Sequence, residues 1–184
     1  MRFCSHIIVD VNLERETLGS IARLKAEGGA LLAAEPVSVA KAEKLLGLPC
    51  PADLITPNLD ELTALAGYPV HTAGDMETAC RGLSARFNHI LVTLGREGAY
   101  HFDAAAGRGK RYPAYKAEIT DATGAGDSFT GGVVYALAAG FSMDECIRTG
   151  MAAAVLSLES EQTVCGGISL ESVRDIMKTR RVLP

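Results

Sequence analysis

The sequence predicts a three-layer α/β fold, a mostly parallel sheet with helices on both faces. Three observations carry this expectation. Short apolar runs alternate along the chain with longer stretches whose apolar residues recur at helical spacing. Gly and Pro stand between those segments, where turns and helix ends need them. The 184 residues are 48% hydrophobic and 22% charged, the composition of a globular protein able to bury a sizeable core. Strands that alternate with helices form parallel sheets covered on both faces. With no internal repeat, low-complexity tract or long linker, one domain over residues 1–184 is expected.

In chain order, Ile7–Val11 reads as a buried strand. Asn12 follows as the cap of a helix that turns Leu18, Ile21, Ala22 and Leu24 to the core and ends near Gly28-Gly29. Ala30–Ala34 is the next strand. Pro36 and Ser38 introduce a short helix with Ala42, Leu45 and Leu46 on one side, stopped by Gly47 and Pro49. Leu54–Thr56 is a third strand, and Asn58–Ala66 a helix closed by Gly67. A helix over Asp75–Phe87 leads into a strand at Ile90–Leu94. Ala99–Phe102 should return antiparallel through the Gly95–Gly98 turn. Helices at roughly 124–139, 143–158 and 169–180 finish the chain.

Composition excludes several classes of function. A formal charge of −4 gives no electrostatic pull toward nucleic acid or an anionic membrane. No apolar run reaches the ~18 residues of a membrane span, and Met1-Arg-Phe-Cys-Ser-His lacks the apolar stretch of a secretion signal. Cys4, Cys50, Cys80, Cys146 and Cys165 are odd in number and widely spaced, with no Cys-x-x-Cys pair. They read as reduced thiols of a cytoplasmic protein, not as a disulfide framework or zinc site. The four histidines show no metal-ligand spacing; His6 and His89 precede apolar runs and read as strand-edge residues.

The most informative stretch is Asp121-Ala-Thr-Gly-Ala-Gly-Asp127, followed at once by the apolar residues of a helix. Gly124 and Gly126 flank Ala125 where the helix should begin, and Asp127 sits in its first turn. Glycines let a ligand approach the backbone, and the unpaired amides of a helix start attract anions. An acid beside a bound phosphate makes sense when it faces a second substrate and takes the proton of an attacking hydroxyl. On physical grounds alone an ordinary acidic first turn explains the same residues equally well. Similarly, Asn58 followed three residues later by Glu61 is a capping-box pattern at a helix start, and the Gly95–Gly98 segment is a turn that needs glycine. Loops after strands of an open α/β sheet lie at the strands' carboxyl ends, so the three motifs are expected on one edge. No Walker-type phosphate loop is present, since Gly107-Arg-Gly109-Lys110 lacks the earlier Gly and the hydroxyl, and the motif set of protein kinases is missing.

Asp121–Asp127 resembles the C-terminal signature of the ribokinase, or PfkB, family of small-molecule kinases. Thr56-Pro-Asn58-Leu-Asp-Glu61 resembles the family's Asn-x-x-Glu motif, and Leu91-Val-Thr93-Leu-Gly95-Arg-Glu-Gly98-Ala its nucleotide-contacting strand and turn. The motifs stand in family order. The resemblance implies a ribokinase-like fold and ATP- and Mg²⁺-dependent phosphate transfer to an alcohol of a nucleoside or sugar. It implies Asp127 as general base and the amides of Gly124, Ala125 and Gly126 as an anion hole for the transferred phosphoryl group. Asn58 and Glu61 would organise Mg²⁺, its water shell and the phosphates, while Thr93 and Gly95 would contact the nucleotide. Asp121 matches a position that contributes to a monovalent-cation site in some members, so K⁺ is a candidate ligand there. Within the family, Asp10-Val-Asn12-Leu, Glu35-Pro-Val-Ser38-Val-Ala-Lys41-Ala and Thr56-Pro-Asn58 most resemble pseudouridine kinases; Glu35-Pro36 can equally be a strand end and turn.

The resemblance runs along essentially the whole chain but only along the C-terminal portion of the family pattern. The N-terminal portion, which in the family grips the acceptor and supplies a small β-sheet lid, has no counterpart here. Missing strands would leave a sheet edge uncovered, to be closed by a homodimer or by a separate N-terminal half. Two readings therefore stand side by side: a kinase with a small-molecule nucleoside or sugar acceptor, and a truncated, noncatalytic nucleotide-binding or interaction module.

Overall fold

The computed structural model describes residues 4–162 and 165–183, so Met1-Arg-Phe of the opening segment lies outside the described residues. Its residues group into two compact units. The first holds the described chain as far as Leu94 together with Tyr100–Lys110, and the second Gly95–Ala99 with the chain from Arg111 onward.

The first unit is built on a sheet of strand order β1-β2-β3-β4-β5-β6. β1 (His6–Asp10), β2 (Leu31–Glu35), β3 (Ala52–Ile55) and β4 (Phe87–Thr93) are parallel, in register at Val9 opposite Ala34, Ala34 opposite Ile55, and Ile55 opposite Ile90. β5 (Ala99–Asp103) returns beside β4, its end meeting the start of β4 where Ala104 N–H donates to the Asn88 carbonyl at 3.0 Å. That pairing is antiparallel, as the sequence predicts. β6 (Arg108–Tyr112) was not legible in the sequence: Arg-Gly-Lys-Arg-Tyr has no apolar alternation, and all but Tyr112 are exposed. Its strand state comes from pairing with β5 and from the turn in which Gly107 N–H donates to the Asp103 carbonyl.

α1 (Arg15–Gly28) buries Leu18 and Ala22 and closes on Gly29 at φ 71°, as expected. Two details differ. Leu24 is 44% exposed, one step off the buried stripe. The residue preceding the helix is Glu14, not Asn12, whose N–H is turned back onto the Asp10 carboxylate. The short helix after β2 splits into α2 (Val39–Ala42) and a 3₁₀ turn at Glu43–Gly47, with Ala42 and Leu45 fully buried. α3 (Leu59–Ala66) runs between Asn58 and Gly67. α4 (Ala73–Leu83) starts from a Thr72–Asp75 capping box and stops before the predicted Phe87. Phe87 instead opens β4 and is fully buried, while the Arg86 carbonyl accepts the Ala52 N–H. Leu18, Leu32, Leu45, Ile55, Leu62, Phe87, Ile90 and Phe102 form the centre of the core. Each such side chain contributes about 1.5–3 kcal/mol of burial free energy.

The second unit is a helical layer: α5 (Ala125–Ala138), α6 (Met143–Leu158) and α7 (Leu170–Thr179). All three lie within a residue or two of their predicted bounds. α5 and α6 pack closely through Gly132 and Gly150; a Cβ on Gly132 would come within 2.9 Å of the Gly150 Cα. The end of α7 is tied to the end of α6 by Arg180, whose Nη1 and Nη2 reach the two Glu159 carboxylate oxygens at 2.8 and 2.7 Å. Tyr115 and Val182 form an antiparallel bridge. Among the described residues no helix is long and apolar enough to cross a membrane.

Candidate functional site

In the first unit the carboxyl ends of the parallel strands carry a run of polar side chains. Glu35 ends β2, in register with Asp10 at the end of β1. Its carboxylate accepts a hydrogen bond from the hydroxyl of buried Thr56, just beyond β3. Two residues further, Asn58 pairs with Thr93 in an isolated parallel bridge, and Thr93 N–H donates to the Pro57 carbonyl at 2.9 Å. Asn58, Glu61 and Thr93 are thus brought together past β3 and β4.

Asn58 and Glu61 form the full capping box that their spacing predicts. Glu61 N–H donates to Asn58 Oδ1, and Asn58 N–H to Glu61 Oε2, each at 2.9 Å. Glu61 is 3% exposed, and burial pushes its carboxyl above the usual carboxylate range against the opposing hydrogen bond from Asn58. Its second oxygen makes no hydrogen bond within the described residues.

The second unit holds the remaining predicted residues. Gly95, at φ 56°, opens a 3₁₀ turn over Gly95–Glu97, and its carbonyl accepts the Gly98 N–H at 3.0 Å. Asp121–Gly124 forms the approach to α5. The Asp121 Oδ1 accepts both the N–H and the hydroxyl of Thr123, at 2.9 and 2.8 Å. Those two bonds, the backbone one first, hold the Asp121 carboxyl below the usual range. Gly124 caps α5 in the left-handed region at φ 78°, where a side chain would be strained, and no side chain caps the helix. The Ser128 N–H reaches the Gly124 carbonyl, which leaves the amides of Gly126 and Asp127 without an intrahelical acceptor. A Cβ on Gly126 would meet open space, and Asp127 projects from this first turn exposed. The arrangement offers bare N–H donors and the positive end of a helix to an anion, with one carboxylate alongside.

Among the described residues no group of three or more His, Cys, Asp or Glu is disposed to hold a metal ion directly. Sequence reasoning missed Thr56 as a partner of Glu35, and Lys44, which donates to the Val11 and Leu13 carbonyls. Lys44 carries no distinguishing signal in a helical stretch.

Residues 2–166 match the family described as pfkB family carbohydrate kinase. Ribokinase of Arabidopsis thaliana is 31% identical over 129 residues, 68% of this chain and 34% of its own length. The structure of Arabidopsis thaliana ribokinase complexed with ribose and ATP superposes with a TM-score of 0.82 at 23% identity, covering 96% of this chain and 57% of that one. Phosphofructokinase-2 from Escherichia coli, solved in complex with potassium, superposes with a TM-score of 0.78 at 22% identity, covering 94% and 55%. These likenesses show the fold: the three-layer, ribokinase-like α/β architecture with a mostly parallel six-stranded sheet. The chain spans less than two thirds of the length of each of these relatives.

Proposed function

The chain belongs to the pfkB family of carbohydrate kinases, and from that premise we propose that it supplies the phosphotransfer half of an ATP- and Mg²⁺-dependent kinase acting on an alcohol of a nucleoside or sugar. The observation that carries the proposal is the start of α5. Gly124 is left-handed, the amides of Gly126 and Asp127 have no intrahelical acceptor, and the Asp127 carboxylate is exposed in the same turn. Bare amides suit the oxygens of a phosphoryl group, and a carboxylate suits the hydroxyl that attacks it.

In this reading Asp127 takes the acceptor hydroxyl's proton. Within the expected Gly124–Gly126 loop it is the open amide of Gly126, joined by that of Asp127, that holds the charge developing on the transferred phosphate, since the Ala125 N–H donates to the Ala122 carbonyl at 3.4 Å. Thr93 and Gly95 line the nucleotide. Asn58 and Glu61 orient water around Mg²⁺. Glu61 suits that part because one oxygen is fixed in the cap while the other makes no hydrogen bond within the described residues. When bound, the metal neutralises phosphate charge; the chain's own residues only place its water shell. Asp121 is the residue we assign to a K⁺ site, through the oxygen that Thr123 does not occupy. For the acceptor we favour a pseudouridine-like C-nucleoside, on the Glu35-Pro-Val-Ser38 segment at the end of β2.

The test is transfer of labelled phosphate from ATP to pseudouridine, uridine and ribose. Transfer that prefers pseudouridine and disappears in Asp127→Ala supports the reading. An Asp127→Asn variant within about tenfold of wild type, a barrier change of about 1.4 kcal/mol, rules out the general base. Nucleotide binding without transfer to any acceptor would instead make the chain a noncatalytic nucleotide-binding module.

A further inference from the structure

The sheet has two edges, and they are finished differently. β6 is lined with exposed Arg108, Lys110 and Arg111, charged side chains of the kind that keep a strand from recruiting another. The middle of β1 carries no such guard: Ile8, at its centre, is 52% exposed. Ile8 lies in register with Ala33, and Ala33 with Leu54. Ala33 and Leu54 are both buried, so burial on that face of the sheet ends at β1.

The backbone bonds to β2 fix which groups of β1 stay unused. Leu31 N–H donates to the Ser5 carbonyl, and Val11 N–H to the Glu35 carbonyl. Alternate residues of a ladder turn to the same neighbour, so Ser5, Ile7, Val9 and Val11 face β2 while the N–H and C=O groups of His6, Ile8 and Asp10 face outward. Among the described residues no strand pairs with that outer edge. The side chains of His6, Ile8 and Asp10 share one face. His6 Nδ1 is engaged with the Ser5 hydroxyl at 2.8 Å, which leaves Nε2 for another partner. Asp10 Oδ1 accepts the Asn12 N–H at 2.8 Å, which leaves Oδ2.

We infer that β1 is a docking edge for β1 of a second copy of this chain, joined antiparallel about a two-fold axis through Ile8. A two-fold contact requires a surface that is its own complement, and His6-Ile-Ile-Val-Asp10 is one. Ile8 meets the partner's Ile8, Ile7 meets the partner's Val9, and His6 meets the partner's Asp10. An imidazole therefore stands opposite a carboxylate at both ends, and every outward N–H finds a carbonyl. Moving the register by two residues sets Ile8 against an imidazole or a carboxylate and leaves an end unpaired. A strand pair of this length is small beside the roughly 1,200–2,000 Å² of a standard stable interface, so the dimer should dissociate on dilution. The inference stands on this geometry and not on the kinase reading.

The experiment is sedimentation velocity of the full chain over a concentration series, with amide exchange followed residue by residue. A monomer–dimer equilibrium is expected. The His6, Ile8 and Asp10 amides should gain protection as the dimer fills, while those of Ile7 and Val9, turned to β2, change little. Ile8→Lys sets two ammonium groups against each other at the axis and should abolish the dimer. The Ile8 side chain is more than half exposed, so this variant should melt with wild type. His6→Asp should weaken the dimer on the order of tenfold, and His6→Asp combined with Asp10→His, which exchanges the two ends, should restore it. A chain that is monomeric at every concentration overturns the inference and leaves the edge to a different polypeptide. A dimer whose outward amides gain no protection, or an Ile8→Lys dimer as tight as wild type, overturns it as well. A double exchange that dimerises no better than His6→Asp alone overturns the register.

Discussion

Asn58 and Glu61 exchange their hydrogen bonds at equal length, 2.9 Å in each direction, so one pair of side chains closes two backbone donors at the start of α3. The cap and the proposed metal role therefore draw on different oxygens of the same carboxylate. A substitution that keeps the cap while removing the charge separates them.

Glu61→Gln keeps an oxygen for the Asn58 N–H, and its melting temperature should stay close to wild type. Glu61→Ala orphans that N–H and should cost about 1–2 kcal/mol. Because burial raises the Glu61 carboxyl, the folded state holds its proton more tightly than the unfolded chain does. Wild type should therefore gain stability relative to Glu61→Gln as pH falls from neutrality through the window above the ordinary carboxylate value. Denaturant melts across that window read the effect directly. If the water-mediated metal role holds, Glu61→Gln also alters the Mg²⁺ dependence of phosphotransfer.

The contact between α5 and α6 makes an independent prediction. A Cβ on Gly150 would sit 2.6 Å from a Val133 methyl and 2.7 Å from the Phe129 carbonyl, whereas one on Gly131 meets nothing within 4 Å. Gly150→Ala should destabilise by about 1–3 kcal/mol through overpacking. Gly131→Ala, exposed in the same helix, should be neutral or stabilising by about 0.5–1 kcal/mol. Chemical denaturation of the two variants in parallel tests the pairing of these helices.

The parts of the molecule that the sequence made legible are those where local and tertiary preferences agree. Leu18 and Ala22 fall on the buried side of α1, Gly29 and Gly67 end their helices, and the Asn58–Glu61 box forms as its spacing requires. Asn12 misled because a good capping residue is also a good turn residue. Here the turn won, with the Asn12 N–H on Asp10 and its side chain on Lys41. Phe87 reads as the end of a helix because an apolar residue closing a periodic stretch fits helix or strand equally well. β6 was invisible because four of its five side chains are solvated and only its neighbour strand makes it one. At the candidate site, residue identities were readable from the motif, whereas the bare amides at Gly126 and Asp127 and the brace from Asp121 to Thr123 are matters of backbone path.

That brace has a measurable signature. Thr123 gives Asp121 a backbone and a hydroxyl donor, and both favour the ionised carboxylate. Its contribution to stability is present above the unfolded-state pKa and is lost as pH falls through the lower, folded-state value. Thr123→Val removes the hydroxyl and keeps the backbone donor, so the Asp121 carboxyl should titrate at a higher pH than in wild type, though still below the usual range. A carboxyl ¹³C titration that shows no change would mean the hydroxyl contributes nothing to the loop.

The five thiols should divide by burial. Cys80 and Cys146 are fully buried, and burial pushes their thiols up to about 12 and about 11. The thiolate is the reactive form, so at neutral pH both are screened twice, by access and by protonation. Cys4 is exposed, and Cys50 and Cys165 are half-buried, with the Cys50 Sγ donating to the Ala22 carbonyl at 3.1 Å. Native protein treated with iodoacetamide should therefore label Cys4 fastest and Cys50 and Cys165 more slowly. Cys80 and Cys146 should label only when denaturant opens the core. Mass spectrometry of the modified peptides gives the order. Labelling of Cys80 at the rate of Cys4 in the absence of denaturant would mean that the core around α4 opens far more readily than its packing implies.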